Sequence, residues 1–199
     1  MKLSKKGEYA LRSLIDLGIA ADVGRELVQV AELAEKELIP AKFLEQIMQE
    51  LKSAGFITSQ RGKFGGYRLA RSADDITIGD IVRLIDGPLA PIGCVSQTSY
   101  EKCSCPDEVH CGLRMLMLDV RNAIAGILDR YSLADVVDVT TRKMKRDGIP
   151  LPFSNVRRVG ARGKTAAPSA SGDRRQVPAD RRLKPVEGIL SELFPDYTI

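Results

Sequence analysis

The sequence predicts a mainly α-helical protein with a small β-wing, namely a winged helix-turn-helix followed by a long dimerisation helix. Three consecutive segments within residues 5–54 space their apolar side chains as helices do. A glycine-rich hairpin tip then separates two short apolar segments within 56–70. Residues 111–131 repeat apolar side chains at alternating intervals of four and three, which is the heptad-like period of a coiled coil.

The three N-terminal helices are bounded by start and stop residues. Helix one is expected over residues 5–21, and a short second helix includes residues 28–34. Pro40 fits the first turn of a third helix that runs to about Ala54, with Gly55 as its stop. The third helix has an apolar stripe (Phe43, Leu44, Ile47, Leu51) and polar side chains on another face (Lys42, Gln46, Gln49). One face therefore packs, and the other is free to contact a ligand.

The predicted hairpin concentrates positive charge. Residues 56–59 and 67–70 are the strand candidates, and residues 61–66 form the tip between them. The stretch 52–73 contains five Lys or Arg residues and no acidic residue. A phosphate backbone is the ligand that such a wing suits.

The chain divides into four predicted parts. Residues 1–87 form the winged helix-turn-helix, whose last helix starts after the capping residue Thr77, and residues 88–110 form a cysteine-containing sensor loop. Residues 111–147 hold the dimerisation helix, with its seam of Leu113, Met117, Val120, Ile124, Ile127 and Tyr131, and a further helix capped by Ser132. Residues 148–199 are rich in Pro, Gly, Ser, Ala and Arg and are expected to be a basic, disordered tail.

Composition excludes several classes of protein. Lys and Arg number 30 and Asp and Glu 26, and the tail carries nine of the basic and five of the acidic residues, so residues 1–147 are neutral on average. No apolar run has the length of a membrane span and no signal peptide precedes the charged N-terminus, so the expected location is the cytoplasm. A single histidine and the lack of a phosphate-binding loop argue against an enzyme.

Base recognition is expected from the start of the third helix, because the second helix of a helix-turn-helix enters the major groove of DNA. Lys42 suits guanine or phosphate, Glu45 suits the amino group of cytosine, and Gln46 suits adenine. Phe43 lies among them, and Arg61 and Lys63 lie at the wing tip.

All four cysteines, Cys94, Cys103, Cys105 and Cys111, fall within 18 residues. In a reducing compartment this clustering indicates metal binding or redox sensing before structural disulfides. Thiolates bind iron–sulfur clusters and zinc, and the spacing distinguishes them poorly. A reversible thiol switch without metal is a third possibility.

Several separated motifs together resemble the Rrf2 family of bacterial winged-helix transcription regulators. They are MKLSKKGEYALRSL (1–14), IPAKFLEQIMQELKSAGFI (39–57), RGKFGGYRLA (61–70), ITIGDIVRLIDG (76–87) and the late cysteines. The resemblance covers about residues 1–145. It implies a homodimer that binds double-stranded DNA, with Lys42, Glu45 and Gln46 facing the major groove and Arg61 reaching into the minor groove.

The resemblance also implies an iron–sulfur cluster held by three cysteines. Cluster-binding members space them C-x5-C-x5-C, an interval that Cys105 and Cys111 reproduce, whereas Cys94 stands too far upstream. Cys94 and Cys111 are the preferred ligands, Cys105 follows, and Cys103 is a competitor or resolving thiol. The fourth ligand in relatives comes from a histidine position occupied here by Arg114, or from an acidic residue of the partner's first helix that Glu8 matches.

These observations lead to one expected function and two alternatives. The expected function is a sequence-specific transcriptional regulator whose DNA binding responds to an iron–sulfur cluster or to thiol oxidation in the cysteine loop. The first alternative is a cluster-free regulator controlled by a partner metabolic enzyme, as in one branch of the family. The second is a zinc-stabilised DNA-binding protein.

Overall fold

The computed structural model describes residues 2–154, and most of the predicted basic tail lies outside them. Six helices and one hairpin follow in the order α1 (Lys5–Asp22), α2 (Val30–Glu37), α3 (Ala41–Ser53), β1 (Ile57–Gln60), β2 (Gly66–Leu69), α4 (Ile78–Asp86), α5 (Gly112–Arg130) and α6 (Leu133–Arg146). The predicted fold class, mainly α-helical with a small β-wing, is confirmed. No helix in this part of the chain is long and apolar enough to cross a membrane.

The helix ends follow from local hydrogen bonds. The Ser4, Thr77 and Ser132 hydroxyls accept from backbone N–H groups of the first turns of α1, α4 and α6. Ser132 and Asp135 form a complete capping box. Pro40 precedes α3 as its cap residue and does not lie in the first turn, because its ψ of 122° is extended and not helical.

The wing is a two-stranded antiparallel sheet in which Ile57 pairs with Leu69 and Gln60 with Gly66. Both strands begin and end one residue away from the predicted positions. The prediction that Val28 lies in the second helix is wrong: α2 begins at Val30, and Val28 extends the sheet, because its N–H donates to the Tyr67 carbonyl at 3.0 Å and the Tyr67 N–H donates back at 2.8 Å. The wing is thereby fixed to the segment that leads into α2.

One hydrophobic core unites the winged helix with α6. Fully buried side chains from α1, α2, α3, the wing and α4 meet there, including Leu14, Leu33, Leu44, Ile57 and Ile81. Leu133 and Val137 of α6 belong to the same core, and the α6 side packs against Gly18 of α1. A methyl group at Gly18 would lie 2.6 Å from Val137, so only glycine permits this approach of the two helices.

The segment after α6 folds back on the same core. Phe153 is half-buried against it, and the Arg25 guanidinium lies 6.0 Å from the centre of its ring. Residues 148–154 had been grouped with the tail by composition. They are the anchored end of the described structure.

Asp16 of α1 is a buried carboxylate that pairs with Lys36 of α2 at 2.5 Å, and Lys36 also contacts Glu37 at 2.6 Å. Burial raises the pKa of Asp16 to about 6, against an ordinary value of 3.8, although the Lys36 ammonium acts in the opposite direction. The second carboxylate oxygen is buried without a hydrogen-bond partner in the described structure. The Asp16 carboxylate is thus costly to ionise in the folded state.

The Asp16→Asn variant should therefore change how stability depends on pH. Between pH 4 and 6 the folded wild type holds a proton that the unfolded chain releases, so the Asp16 contribution to stability is present below pH 4 and declines as pH rises through 6. Relative to wild type, the free energy of unfolding of the variant should rise by on the order of 2 kcal/mol over this interval. Urea unfolding at pH 4, 5, 6 and 7 measures it, and parallel curves for the two proteins would contradict the assignment.

Candidate DNA-binding surface and cysteine loop

The first turns of α3 present an exposed polar face. Lys42, Glu45 and Gln46 are exposed, whereas Leu44 and Ile47 of the same helix are fully buried. The α3 side chains that sequence analysis assigned to bases thus project away from the core, where they are free to meet a DNA duplex.

Phe43 was predicted among the DNA-contacting residues, but it is half-buried. Its ring packs edge to face against Tyr9 of α1, with ring centres 5.9 Å apart. The contact ties the first turn of α3 to α1, so Phe43 holds the recognition face in place.

The wing tip presents Arg61 and Lys63, and both are exposed. The Gly65 N–H donates to the Gly62 carbonyl at 2.9 Å and closes a tight turn, in which Gly62 has a φ of 116° that favours glycine. The Gln29 side chain donates to the Lys63 carbonyl at 3.2 Å. The basic tip is therefore braced against the start of α2.

The cysteine loop joins α4 to α5, and its thiols differ in exposure. Cys94 is buried in a small apolar cluster with Val95 and Leu118, and Cys103 packs against the same cluster. Cys105 is exposed, and Cys111 is half-buried at the residue before α5. All four are free thiols.

The thiols interact with one another in a row. Burial and the neighbouring Cys103 raise the pKa of Cys94. Hydrogen bonding with Cys103, followed by burial and by Cys111, raises the pKa of Cys105 to about 11. Cys103 therefore influences the ionisation of both Cys94 and Cys105, and all four predicted residues lie on the one loop between α4 and α5.

The donor chemistry of this row fits a soft metal centre, since thiolates are the preferred ligands of iron–sulfur clusters and zinc. The geometry is not preassembled: within residues 2–154, no three His, Cys, Asp or Glu side chains already stand as a metal site requires. Binding a metal would need the thiols to converge and lose their protons.

Glu8, the nominated acidic ligand, lies on α1. Its carboxylate pairs with Lys5 at 2.7 Å and with Arg12 at 3.4 Å, and Lys5 is the main cause of its lowered pKa. Glu8 is a surface residue with part of its side chain exposed. Within a single chain it is not brought to the cysteines, so any ligand role requires a second subunit.

Arg121 joins the cysteine loop to α5, and sequence reasoning missed it. The side chain is buried, and its guanidinium donates to the Val95 carbonyl at 2.9 Å, next to Cys94. Burial lowers the pKa of Arg121. Arg121 lies at the midpoint of α5, where a charged residue is ordinarily solvated, so no local signal in the sequence revealed its position.

The outer side of α5 is apolar and uncovered. Leu113, Leu116, Val120, Ile127 and Tyr131 are exposed by between 37% and 58% of their surface. Four large apolar side chains on α5, with Tyr131 directly after its end, form a patch of the kind that marks a protein interface. We call these five residues the α5 seam. Of the seam predicted from the sequence, Met117 and Ile124 are half-buried and do not belong to this exposed patch.

An exposed polar face on α3 and a basic wing on a helix-turn-helix core are the features of a DNA-binding transcriptional regulator. Comparison with known proteins agrees. The family model that matches residues 3–139 is Rrf2, described as an iron-dependent transcriptional regulator. An rrf2-like HTH-type transcriptional regulator of Rhodobacter capsulatus is 35% identical over 140 residues, which are 68% of this chain and 91% of that protein.

Solved structures give the same result. CymR, the global cysteine regulator of B. subtilis, aligns with a TM-score of 0.58 at 29% identity over 70% of this chain and 98% of its own. The IscR of T. potens aligns with a TM-score of 0.56 at 28% identity over 72% of this chain and 90% of its own. The chain belongs to the Rrf2 family, and it is a transcriptional regulator and not an enzyme.

Proposed function

We propose that this regulator is a homodimer that binds a specific DNA operator and that an iron–sulfur cluster in its cysteine loop controls the binding. The observation that carries the proposal is the presence of four free thiols on the single loop between the winged helix and α5. The match of this chain to a family described as iron-dependent favours iron over zinc as the bound metal.

The DNA contacts divide by chemistry. Lys42, Glu45 and Gln46 supply donors and acceptors for base edges in the major groove. Arg61 and Lys63 supply charge for the backbone and the minor groove. We assign base recognition to the first group and the larger part of the salt dependence to the second.

Cys94, Cys105 and Cys111 are the proposed cluster ligands, with Cys103 as the competing thiol and Glu8 of a second subunit as the fourth ligand. The cluster would supply a redox-active centre. Cys94 lies beside Val95, whose carbonyl Arg121 binds, so the protein's own contribution is to connect the ligand segment to α5 by that hydrogen bond.

The cluster-free alternative keeps the same DNA surface and gives control to a partner enzyme. The similarity to CymR, a global cysteine regulator, favours it. It predicts a colourless protein without iron that recovers a stoichiometric enzyme from lysate.

One experiment separates these functions. Protein purified without oxygen is analysed for iron, acid-labile sulfide and zinc, and is then used to select double-stranded DNA from a random pool. We expect iron and sulfide, a selected operator preferred at least a hundredfold over random DNA, and a changed affinity after the cluster is removed by chelation. No selected sequence would refute the regulator. An operator whose affinity is the same with and without iron would refute the sensing role.

Truncation after Ser154 tests the basic tail. Residues 155–199 carry nine Lys or Arg and five acidic residues, and ending the chain there keeps the Phe153 packing intact. If the tail contacts phosphates, the slope of log affinity against log salt should fall in magnitude by about 2–4, since each contact contributes about 0.9. The selected sequence should not change. An identical salt slope in the truncated and full-length proteins would exclude the contact.

A further inference from the structure

The wing carries an exposed aromatic side chain that the proposed DNA contacts do not use. Phe64 is 80% exposed, and it lies outside the three apolar clusters of the described residues. Together with Lys63 it occupies the two central positions of the turn that the Gly65 to Gly62 hydrogen bond closes. These are the outermost residues of the hairpin.

The turn holds Phe64 outward. A Cβ on Gly65 would lie 2.2 Å from the Gln60 carbonyl oxygen, so the hairpin is closed as tightly as glycine permits. The Gln29 side chain fixes the Lys63 carbonyl from below. Since a phenylalanine has only two rotatable side-chain bonds, an exposed ring on a braced turn loses little freedom when it is buried by a ligand.

The surroundings of the ring indicate the ligand. Arg61 and Lys63 flank it, the Lys63 ammonium lies 5.8 Å from the ring centre, and residues 52–73 contain no carboxylate. A ligand for an apolar ring within a positive patch should be a polyanion that also has an apolar groove into which the ring can pack. The DNA minor groove does so, because its walls are sugar C–H groups and its floor is the stacked edge of base pairs.

We propose that Phe64 is a wedge that enters the minor groove at the wing contact and reads how easily the base step there is opened. The proposal rests on the proposed function, since it requires DNA binding. Flexible pyrimidine–purine steps are the cheapest to part, so such a step should be preferred where the wing lies. Phe64 thus adds specificity by shape, and the α3 side chains read base edges.

The test compares variants on the DNA that the full-length protein selects from a random pool. Affinity is measured by anisotropy of the labelled duplex from 50 to 300 mM KCl for wild type, Phe64→Ala, Phe64→Leu and Lys63→Ala. We expect Phe64→Ala to bind about tenfold more weakly with an unchanged salt slope, because an apolar contact releases no counterion. Phe64→Leu should recover part of the loss. Lys63→Ala should lower the slope by about one.

A second readout is spectroscopic. The chain contains no tryptophan, so Phe64→Trp places a single reporter at the tip. Its emission should be quenched when the selected duplex is added, and repeated selection with Phe64→Ala should lose the preference at one base step. Affinity of Phe64→Ala within twofold of wild type, or unaltered emission from the Trp variant, would overturn the wedge. Failure to select any DNA would instead refute the proposed function.

Discussion

Replacing Ile127 with glutamate is expected to turn the proposed dimer into a monomer and to weaken operator binding at least a hundredfold. Ile127 is 55% exposed in a single chain and lies within the α5 seam, so the substitution leaves the protomer core intact. In a dimer, two carboxylates would be buried in an apolar interface, one from each subunit, at a large cost in desolvation. A monomer contacts only one half-site of the operator, so affinity falls because the contacts with the second half-site are lost.

Val139 offers a matched control for this experiment. It is an apolar residue of α6 with an equal exposure of 56%, outside the seam. Val139→Glu makes the same chemical change and should leave both the mass in solution and the operator affinity unaltered. Light scattering after size exclusion gives the mass. A dimeric Ile127→Glu protein would show that the α5 seam is not the interface, and a monomeric Val139→Glu protein would show that the α5 seam alone does not account for it.

Removing single thiols is expected to have the second large effect. Cys94→Ser and Cys111→Ser should each abolish the iron and sulfide of protein purified without oxygen, because a serine hydroxyl binds iron more weakly than a cysteine thiolate does. If the proposed triple is right, Cys105→Ser should behave in the same way and Cys103→Ser should keep its iron. Metal content and the visible spectrum are the measurements.

The pattern among these variants discriminates between the alternatives. If Cys105→Ser kept its full iron content and Cys103→Ser lost it, the third ligand would be Cys103 and not Cys105. Glu8→Gln tests the ligand from the second subunit, and Lys5→Gln is its control, since it removes the ion pair at 2.7 Å and leaves the carboxylate. Loss of iron in both variants would mean that the Lys5–Glu8 ion pair, and not ligation by Glu8, is required for iron binding.

The helices, and those of their starts that a side chain caps, were predictable from sequence because their causes are local. The Ser132 hydroxyl and the Asp135 carboxylate are three residues apart, and the capping box that they form involves nothing else. The wing was equally local, since its glycines and strand residues adjoin one another. The exposed positions of Lys42 and Gln46 followed from helical period alone.

Contacts between distant segments were not predictable in this way. The apolar spacing of α6 shows that one side is buried, but it does not show that Val137 lies against Gly18, more than a hundred residues earlier. The Arg121 contact to Val95 and the Phe153 packing depend on such distant neighbours too. For the cysteines, the sequence supplied the candidate donors, but only the fold shows that Cys94 is buried against Val95 and Leu118 while Cys105 is exposed.

The corner between α5 and α6 is tied to α4 at several points. Arg83 binds Asp129 through two hydrogen bonds of 2.7 Å. The Ile78 N–H donates to the Tyr131 carbonyl at 3.0 Å, and the Leu133 N–H to the Ile76 carbonyl at 2.7 Å. Within one chain, these contacts make α5 and the winged helix a single rigid unit. In the proposed dimer this unit would rotate about the α5 seam.

In a rigid unit of this length, a small rotation produces a larger displacement at the far end. The 19 residues of α5 span about 28 Å. In the proposed dimer, a turn of about 5° at the α5 seam would displace a point one helix length away by about 2 Å, in opposite senses on the two subunits. That distance exceeds the tolerance of a hydrogen bond to a base edge. A cysteine loop that altered the packing of α5 only slightly would thus change which half-site spacing the two recognition helices fit.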